Sequence, residues 1–370
     1  MAFSVIDGHP CPPICGSFWR SVTMSPTRAS EDMTIDHVEF YVESIENNIE
    51  WLVNGYGCSV RSTSAAGPGD VRSVVVGQGD IDLVLTEPVE PDHPVAAYVR
   101  RHGDGIANIG LRVPDAAEAF AWAVRRGARP VAPPLERNGV VTASIIGFGD
   151  VAHTFVQRPA GSVPFDEPVH AGTGLLKVDH FAVVVEPGQI DDTVEFYRQV
   201  LDFELTLAER IATGDQAMFI KVVQSRSRAV TLTLIESDAS TEPSHVDAFL
   251  KDHGGAGVQH MALSCADIRS SVRQIMDNGI ELLSSPDAYY ALLAERMQPA
   301  RHSVASLREL NILFDEDHDG QLYQIFAKSV HPRNTIFLEL IERAGATTFG
   351  SSNIKSLYEA VEGQRYRDTN

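Results

Sequence analysis

Four times along the chain an apolar, strand-like run carrying one polar residue leads into an amphipathic helical pattern. The four segments are IDHVEFYVESIENNIEWLV around His37, GIANIGLRVPDAAEAFAWAVRRGA around Asn108, VDHFAVVVEPGQIDDTVEFYRQVL around His180 and GVQHMALSCADIRSSVRQIMDNGI around His260. The marked residues lie 71, 72 and 80 positions apart, so the pattern reads as internal duplication. β-rich runs bounded by Gly, Asp and Ser follow the helices, among them RSVVVGQGDIDLVLTEP, AMFIKVVQSRSRAVTLTLIES and GQLYQIFAKS. The predicted fold is α+β: four βαβββ modules, two per domain, forming open barrel-like sheets with outer helices.

The modules also pair into halves. The first and third share an Asp-His step, and the second and fourth share G-[IV]-x-[NH]-x-x-L. VAHTFVQRPAG (151–161) lines up with TIFLELIERAG (335–345). Residues 33–161 are therefore expected to form one domain and 175–370 a second, joined by a Gly- and Pro-containing linker at 162–174, with 1–32 as a flexible extension.

The duplication lets equivalent positions be compared within one sequence. Glu339 sits among Ile336, Phe337, Leu338, Leu340 and Ile341, a buried-strand pattern in which an unpaired carboxylate is costly. The second half holds His180, His260 and Glu339 where the first half holds His37, Asn108 and Thr154. Two neutral imidazoles and a carboxylate on one face leave coordination positions open, the donor set of non-haem Fe(II) oxygenases. Taken singly, each residue fits a core histidine or a buried ion pair; three at repeat-equivalent strand positions favour a metal. The 33–161 half is expected to be structural and metal-free.

Net charge −20 and a pI near 5.0 argue against nucleic acid or an anionic membrane surface as partner, and leave a small molecule. No apolar run approaches the ~18 residues needed to span a bilayer. Residues 1–32 lack the basic start and apolar centre of a signal peptide, so a cytoplasmic protein is expected. Cys11 and Cys15 have no second pair to complete a zinc site, and Cys265 reads as core. His253, His302, His318 and His331 stand in polar or turn-like contexts and are expected at the surface. Asp315, Asp317, Asp319 and Gly320 imitate the start of a calcium loop, but its twelfth position is Phe326, so a turn is expected instead.

With these residues in place, the chain resembles the 4-hydroxyphenylpyruvate dioxygenase family of the vicinal oxygen chelate fold, on its hydroxymandelate synthase branch. The resemblance spans roughly residues 33–362 and is carried by VDHFAV, GAGVQH, LYQIFA, HPRNTIFLELIER and FGSSNIKSLYEAV. It implies Fe(II) held by His180, His260 and Glu339, and a 2-oxo acid and O2 as substrates. It further implies a pocket lined by Thr233, Ile235, Gln324 and Phe337, covered by Phe349, Ile354 and Tyr358 of a C-terminal helix, in a dimer or tetramer. Thr233 and Ile235 replace the Pro and Asn that ring-hydroxylating members carry in an L-P-L-N-E-P strand, as expected of the synthase branch. Phe219 and Ile220 stand where a polar Asn-Ser step is usual; facing the pocket they imply a tighter, less polar pocket and a less polar 2-oxo acid, whereas a local register shift would leave the pocket unchanged. The resemblance leaves open a dioxygenase forming homogentisate and a non-catalytic binding protein of the same fold.

Overall fold

The computed structural model describes residues 33–64, 71–162, 172–348 and Asn353. Its first half runs β1 (Thr34–Tyr41), α1 (Ile45–Ile49) continuing as a π-helical turn Glu50–Gly55, β2 (Ser59–Ser64), β3 (Val71–Gln78) and β4 (Ile81–Pro88). After a crossing helix α2 (Pro94–His102) come β5 (Gly105–Arg112), α3 (Ala116–Arg125), β6 (Pro130–Arg137), β7 (Val140–Phe148) and β8 (Val151–Gln157). The second half repeats the order: β9 (Leu175–Val184), α4 (Ile190–Leu201), β10 (Glu204–Thr213), β11 (Gln216–Gln224), β12 (Thr231–Ser237), then α5 (His245–His253) and β13 (Gly257–Cys265). α6 (Ile268–Asp277), the short α7 (Asp287–Arg296) and α8 (Val304–Glu309), β14 (Leu313–Glu316), β15 (Gln321–Phe326) and β16 (Phe337–Ala344) complete it.

Each half is one eight-stranded curled sheet, ordered β2-β3-β4-β1-β5-β8-β7-β6 and β10-β11-β12-β9-β13-β16-β15-β14. The two central strands of each sheet are antiparallel, and each is flanked by a parallel partner. The predicted βαβββ modules are thus the units that form.

Local sequence explains the elements that carry the site. α4 buries Ile190, Val194, Tyr197, Val200 and Leu201, a helical stripe laid on the convex face of its sheet, and opens with Asp191 and Asp192 against the N-terminal dipole. α5 begins in a capping box, Ser244 with Asp247, and stops at Gly254 in the left-handed region. β13 (GVQHMALSC) is buried along nearly its whole length, because helices cover one face and the concavity encloses the other.

The main core lies between helices and sheets, with Phe181, Val183, Leu232 and Leu234 on the α4 side of the second sheet. Alternation sends Ala182, Val184, Ile220, Val222 and Ile235 to the opposite, concave face, where Val246 and Phe249 of α5 pack on them. The halves also touch directly: His153 Nε2 lies 2.7 Å from the hydroxyl of Tyr197, both fully buried, and Arg333 donates to the carbonyls of Arg100 and Arg101.

Candidate metal centre

Strand register sets the site. Ala262 on β13 pairs with His180 on one side and with Glu339 on the other, and His260 stands two residues along the same strand. Alternation therefore puts all three polar side chains on the concave face, beside the small Ala182 and Ala262. His180 Nε2 and His260 Nε2 lie 3.5 Å and 3.4 Å from Glu339 Oε2. All three residues are at most 6% exposed.

The second nitrogen of each ring fixes the chemistry of the first. His180 Nδ1 is 2.9 Å from Asp179 Oδ1 and His260 Nδ1 is 3.4 Å from Gln259 Oε1. Both partners are acceptors, which favours a proton on each Nδ1 and turns each Nε2 toward Glu339. Burial pushes His260 down to about 3, which keeps it neutral. Burial also pushes the Glu339 carboxyl up to about 7, opposed by the imidazole of His180. With its carboxyl ionised, Glu339 and the two facing Nε2 atoms form a cluster of three donors that a shared cation would stabilise. The donor set fits iron, being two imidazoles and one carboxylate grouped on one concave face.

Asp179 is itself held on the far side. Burial alone would raise its carboxyl, but hydrogen bonds from His180 and Arg343 outweigh this and hold it well below the usual carboxylate range. Arg343 grips it bidentately, Nε to Oδ2 and Nη2 to Oδ1, both at 2.9 Å. Neither Asp179 nor Arg343 stood out in the sequence. The signal was there in the duplication, since Asp36 and Arg158 make the same fork in the first half at 2.8 Å.

The first half keeps this scaffold and lacks the donors. Gly110 pairs with His37 and with Thr154, so Thr154 is the counterpart of Glu339. The gapless match of 151–161 with 335–345 would instead have set Phe155 there, one residue out of register. Thr154 Oγ1 donates to Asn108 Oδ1 at 2.9 Å, and Asn108 donates to Glu39 at 3.2 Å. The His37 ring lies against Gly110, where an added Cβ would meet it at 2.6 Å.

Of the expected pocket residues, Thr233 and Ile235 pair with Ala182 and Val184 and so share the concave face. Gln324 joins them, two residues from Phe326, which pairs with Glu339. Phe337 stacks on the His260 ring at 4.9 Å between centroids. The Thr233 hydroxyl is buried with no hydrogen-bond partner among the described residues. Ile220 pairs with Ile235 and is on this face, but Phe219 is not: it alternates to the opposite side and packs in the core beneath α4. The expectation that both narrow the pocket is corrected for Phe219, which faces away from it. Phe349, Ile354 and Tyr358 lie outside the described residues, as do Cys11 and Cys15.

Three of the four histidines expected at the surface are buried. His253 stacks on Phe249 and His102, His302 meets Glu342 at 2.9 Å, and His331 packs against Trp51; only His318 is exposed. The polar residues around them belong to caps and ion pairs, which is why the local sequence read as surface. Asp317 to Gly320 forms the expected turn between β14 and β15. Cys265 is buried, and burial pushes its thiol up to about 12, as suits a core residue. Two other carboxylate–imidazole groupings, Asp267–His302–Glu342 and Asp317–His318–Asp319, are engaged otherwise. Glu342 accepts from Ile268 N, Arg301 and His302, and Asp317 accepts backbone amides.

Comparison with known proteins supports the fold and the two-domain repeat. Two family models of the Glyoxalase/Bleomycin resistance protein/Dioxygenase superfamily match residues 36–141 and 177–325, one in each half. A mutant of 4-hydroxymandelate synthase from Streptomyces coelicolor is 40% identical, superposes with a TM-score of 0.83, and covers 90% of this chain and 98% of its own. The 4-hydroxyphenylpyruvate dioxygenase of Dictyostelium discoideum is 29% identical over 357 residues, 89% of this chain and 97% of that one. That of Yarrowia lipolytica is 27% identical over 365 residues, 90% and 93% of the two chains. The fold and the paired modules define a glyoxalase-like, vicinal oxygen chelate protein. The chain belongs to the 4-hydroxyphenylpyruvate dioxygenase family and is a non-haem iron dioxygenase.

Proposed function

We propose that this enzyme is an Fe(II)-dependent, decarboxylating 2-oxo acid oxygenase of the hydroxymandelate synthase type, acting on 4-hydroxyphenylpyruvate or a less polar aryl 2-oxo acid. The observation that carries the proposal is the convergence of His180, His260 and Glu339 on the same concave face as the partnerless Thr233 hydroxyl. Bound iron would supply the electrons that let O2 react with a spin-paired 2-oxo acid. The protein's own part is to hold, orient and desolvate. His180, His260 and Glu339 occupy one side and leave the other to the oxo and carboxylate oxygens of the substrate.

Thr233 offers the substrate a hydroxyl partner, and Gln324 stands on the same face. Ile220 and Ile235 form an apolar wall against which an aromatic ring would rest. Ile235, in place of an amide side chain, favours presenting the benzylic carbon rather than the ring, because small displacements decide which atom is within reach. The product is then the 2-hydroxy acid, with release of CO2. Higher identity to a hydroxymandelate synthase than to the dioxygenase relatives supports this over homogentisate formation. The donor set, preserved only in the second half, argues against a purely sequestering protein. Among the described residues no helix is long and apolar enough to cross a membrane, and a homo-oligomeric protein of the cytoplasm is the proposed setting. Aerobic incubation with Fe(II) and a panel of 2-oxo acids, with product analysis, tests the proposal: a hydroxymandelate supports it, and homogentisate or no turnover of any arylpyruvate refutes it.

A further inference from the structure

We propose that Arg343 is a positioning residue that locks the metal-facing ring of His180 to the chain segment Ala346–Thr348, so that metal affinity is set partly by Asp317, which touches none of the three donors. The inference rests on the metal reading above. Its starting point is the division of labour within one guanidinium. Nε and Nη2 hold Asp179, the acceptor for His180 Nδ1. Nη1 donates to the carbonyls of Thr348 at 2.7 Å and Ala346 at 3.2 Å.

The same segment is held from its other side by Asp317. Oδ2 of Asp317 accepts the amides of Thr347 and Thr348, both at 2.8 Å, and the Thr348 hydroxyl at 2.9 Å. Oδ1 accepts the amides of Asp319 and Gly320 at 2.9 Å, which fixes Asp317 within its own turn. Gly345 makes the approach feasible: it has φ +99°, and a Cβ there would lie 2.6 Å from the carbonyl of Asp319. The route from Asp317 to His180 is therefore unbroken, through Thr348, Arg343 and Asp179, with every bond at 2.7–2.9 Å. A planar guanidinium transmits orientation along such a route, because its donors cannot turn independently.

The first half serves as an internal control. There Asp36 is held by two arginines, Arg112 and Arg158. In the second half the place of Arg112 is taken by Ser264, which donates to Lys177, so among the described residues Arg343 is the one arginine that fixes Asp179. Loss of one fork is tolerable where a second remains and is felt directly where none does.

The test uses full-length metal-free protein titrated with Co(II), reading both affinity and the visible absorption of the bound ion, alongside the thermal midpoint of the metal-free form. Arg343→Lys, which keeps the charge and loses the fork, is expected to bind Co(II) about 10–100-fold more weakly, the usual cost of disturbing an outer partner of a metal-binding histidine. Asp317→Ala should weaken binding in the same direction, and the double variant should lose less than the sum of the two. Arg158→Lys should leave Co(II) affinity unchanged. Wild-type affinity and spectrum in folded Arg343→Lys, no effect of Asp317→Ala, or strictly additive losses would each overturn the coupling. Failure of the wild-type protein to bind Co(II) in a Glu339-dependent manner would instead overturn the metal reading on which the coupling rests.

Discussion

Thr154 and Glu339 occupy the same point of two superposable sheets, each two residues along a parallel ladder from the preceding module's marked residue. Around Thr154 the polar groups satisfy one another: Ser144, Asn108 and Glu39 form a closed hydrogen-bonded chain. Around Glu339 two imidazole Nε2 atoms, of His180 and His260, converge on one carboxylate oxygen at 3.5 and 3.4 Å. One site is built of hydrogen bonds alone, and the other gathers a donor set that suits a cation.

That contrast predicts opposite effects of Glu339→Gln on folding and on metal binding. The variant should lose stoichiometric iron and turnover. In the metal-free state it should be more stable than wild type at alkaline pH. Glu339 has its folded pKa raised from 4.5 to about 7, so the cost of its burial grows as pH rises from 4.5 to 7 and is complete above 7. That cost is roughly 3 kcal/mol for a shift of this size. Thermal unfolding of both metal-free proteins at pH 5 and pH 8 checks this; the advantage of the variant should be larger at pH 8.

Metal content of first-half variants offers a second check. Asn108→Ala breaks the Thr154–Asn108–Glu39 chain and should lower stability by about 1–3 kcal/mol, the usual cost of stranding buried polar groups, while iron per chain stays unchanged. Iron lost in proportion to this substitution would place a donor in the wrong half.

Ile220 and Phe219 are neighbours on β11 with opposite roles. Ile220→Ala should change the preference among 2-oxo acids, because it removes part of the apolar wall beside Ile235 and enlarges the space there. Phe219→Leu should lower the thermal midpoint and leave that preference unaltered, because the ring lies beneath α4. Relative kcat/KM for phenylpyruvate and 4-hydroxyphenylpyruvate in each variant decides between them.

Acid should loosen the contact between the halves. Burial pushes His153 down to about 4, so it is neutral when folded and gains a proton on unfolding below its ordinary value of 6.5. Its contribution is fully present above 6.5 and is lost as pH falls toward 4. Replacing it with Gln should flatten the fall in unfolding free energy between pH 6.5 and pH 4, measured by denaturant titration.

Much of this organisation was legible in the sequence because duplication repeats it. The four strand-helix patterns locate every module, and comparing halves singles out Glu339 and its two histidines. What escaped was whatever depends on the face a strand presents or on contacts made far along the chain. Phe219 and Ile220 are both apolar, and only the register with Ile235 and Glu236 separates them. His302 and His331 sit in polar stretches and are buried by residues that arrive from β16 and α1's π-helical turn, Glu342 and Trp51. Arg343 was hidden for the same reason: its partner Asp179 lies 164 residues away.

The central claim is most directly tested by the product formed from 4-hydroxyphenylpyruvate with Fe(II) and air. One CO2 should be released per hydroxymandelate formed, with none from Glu339→Ala. Homogentisate as the main product, or undiminished turnover by Glu339→Ala, would contradict it.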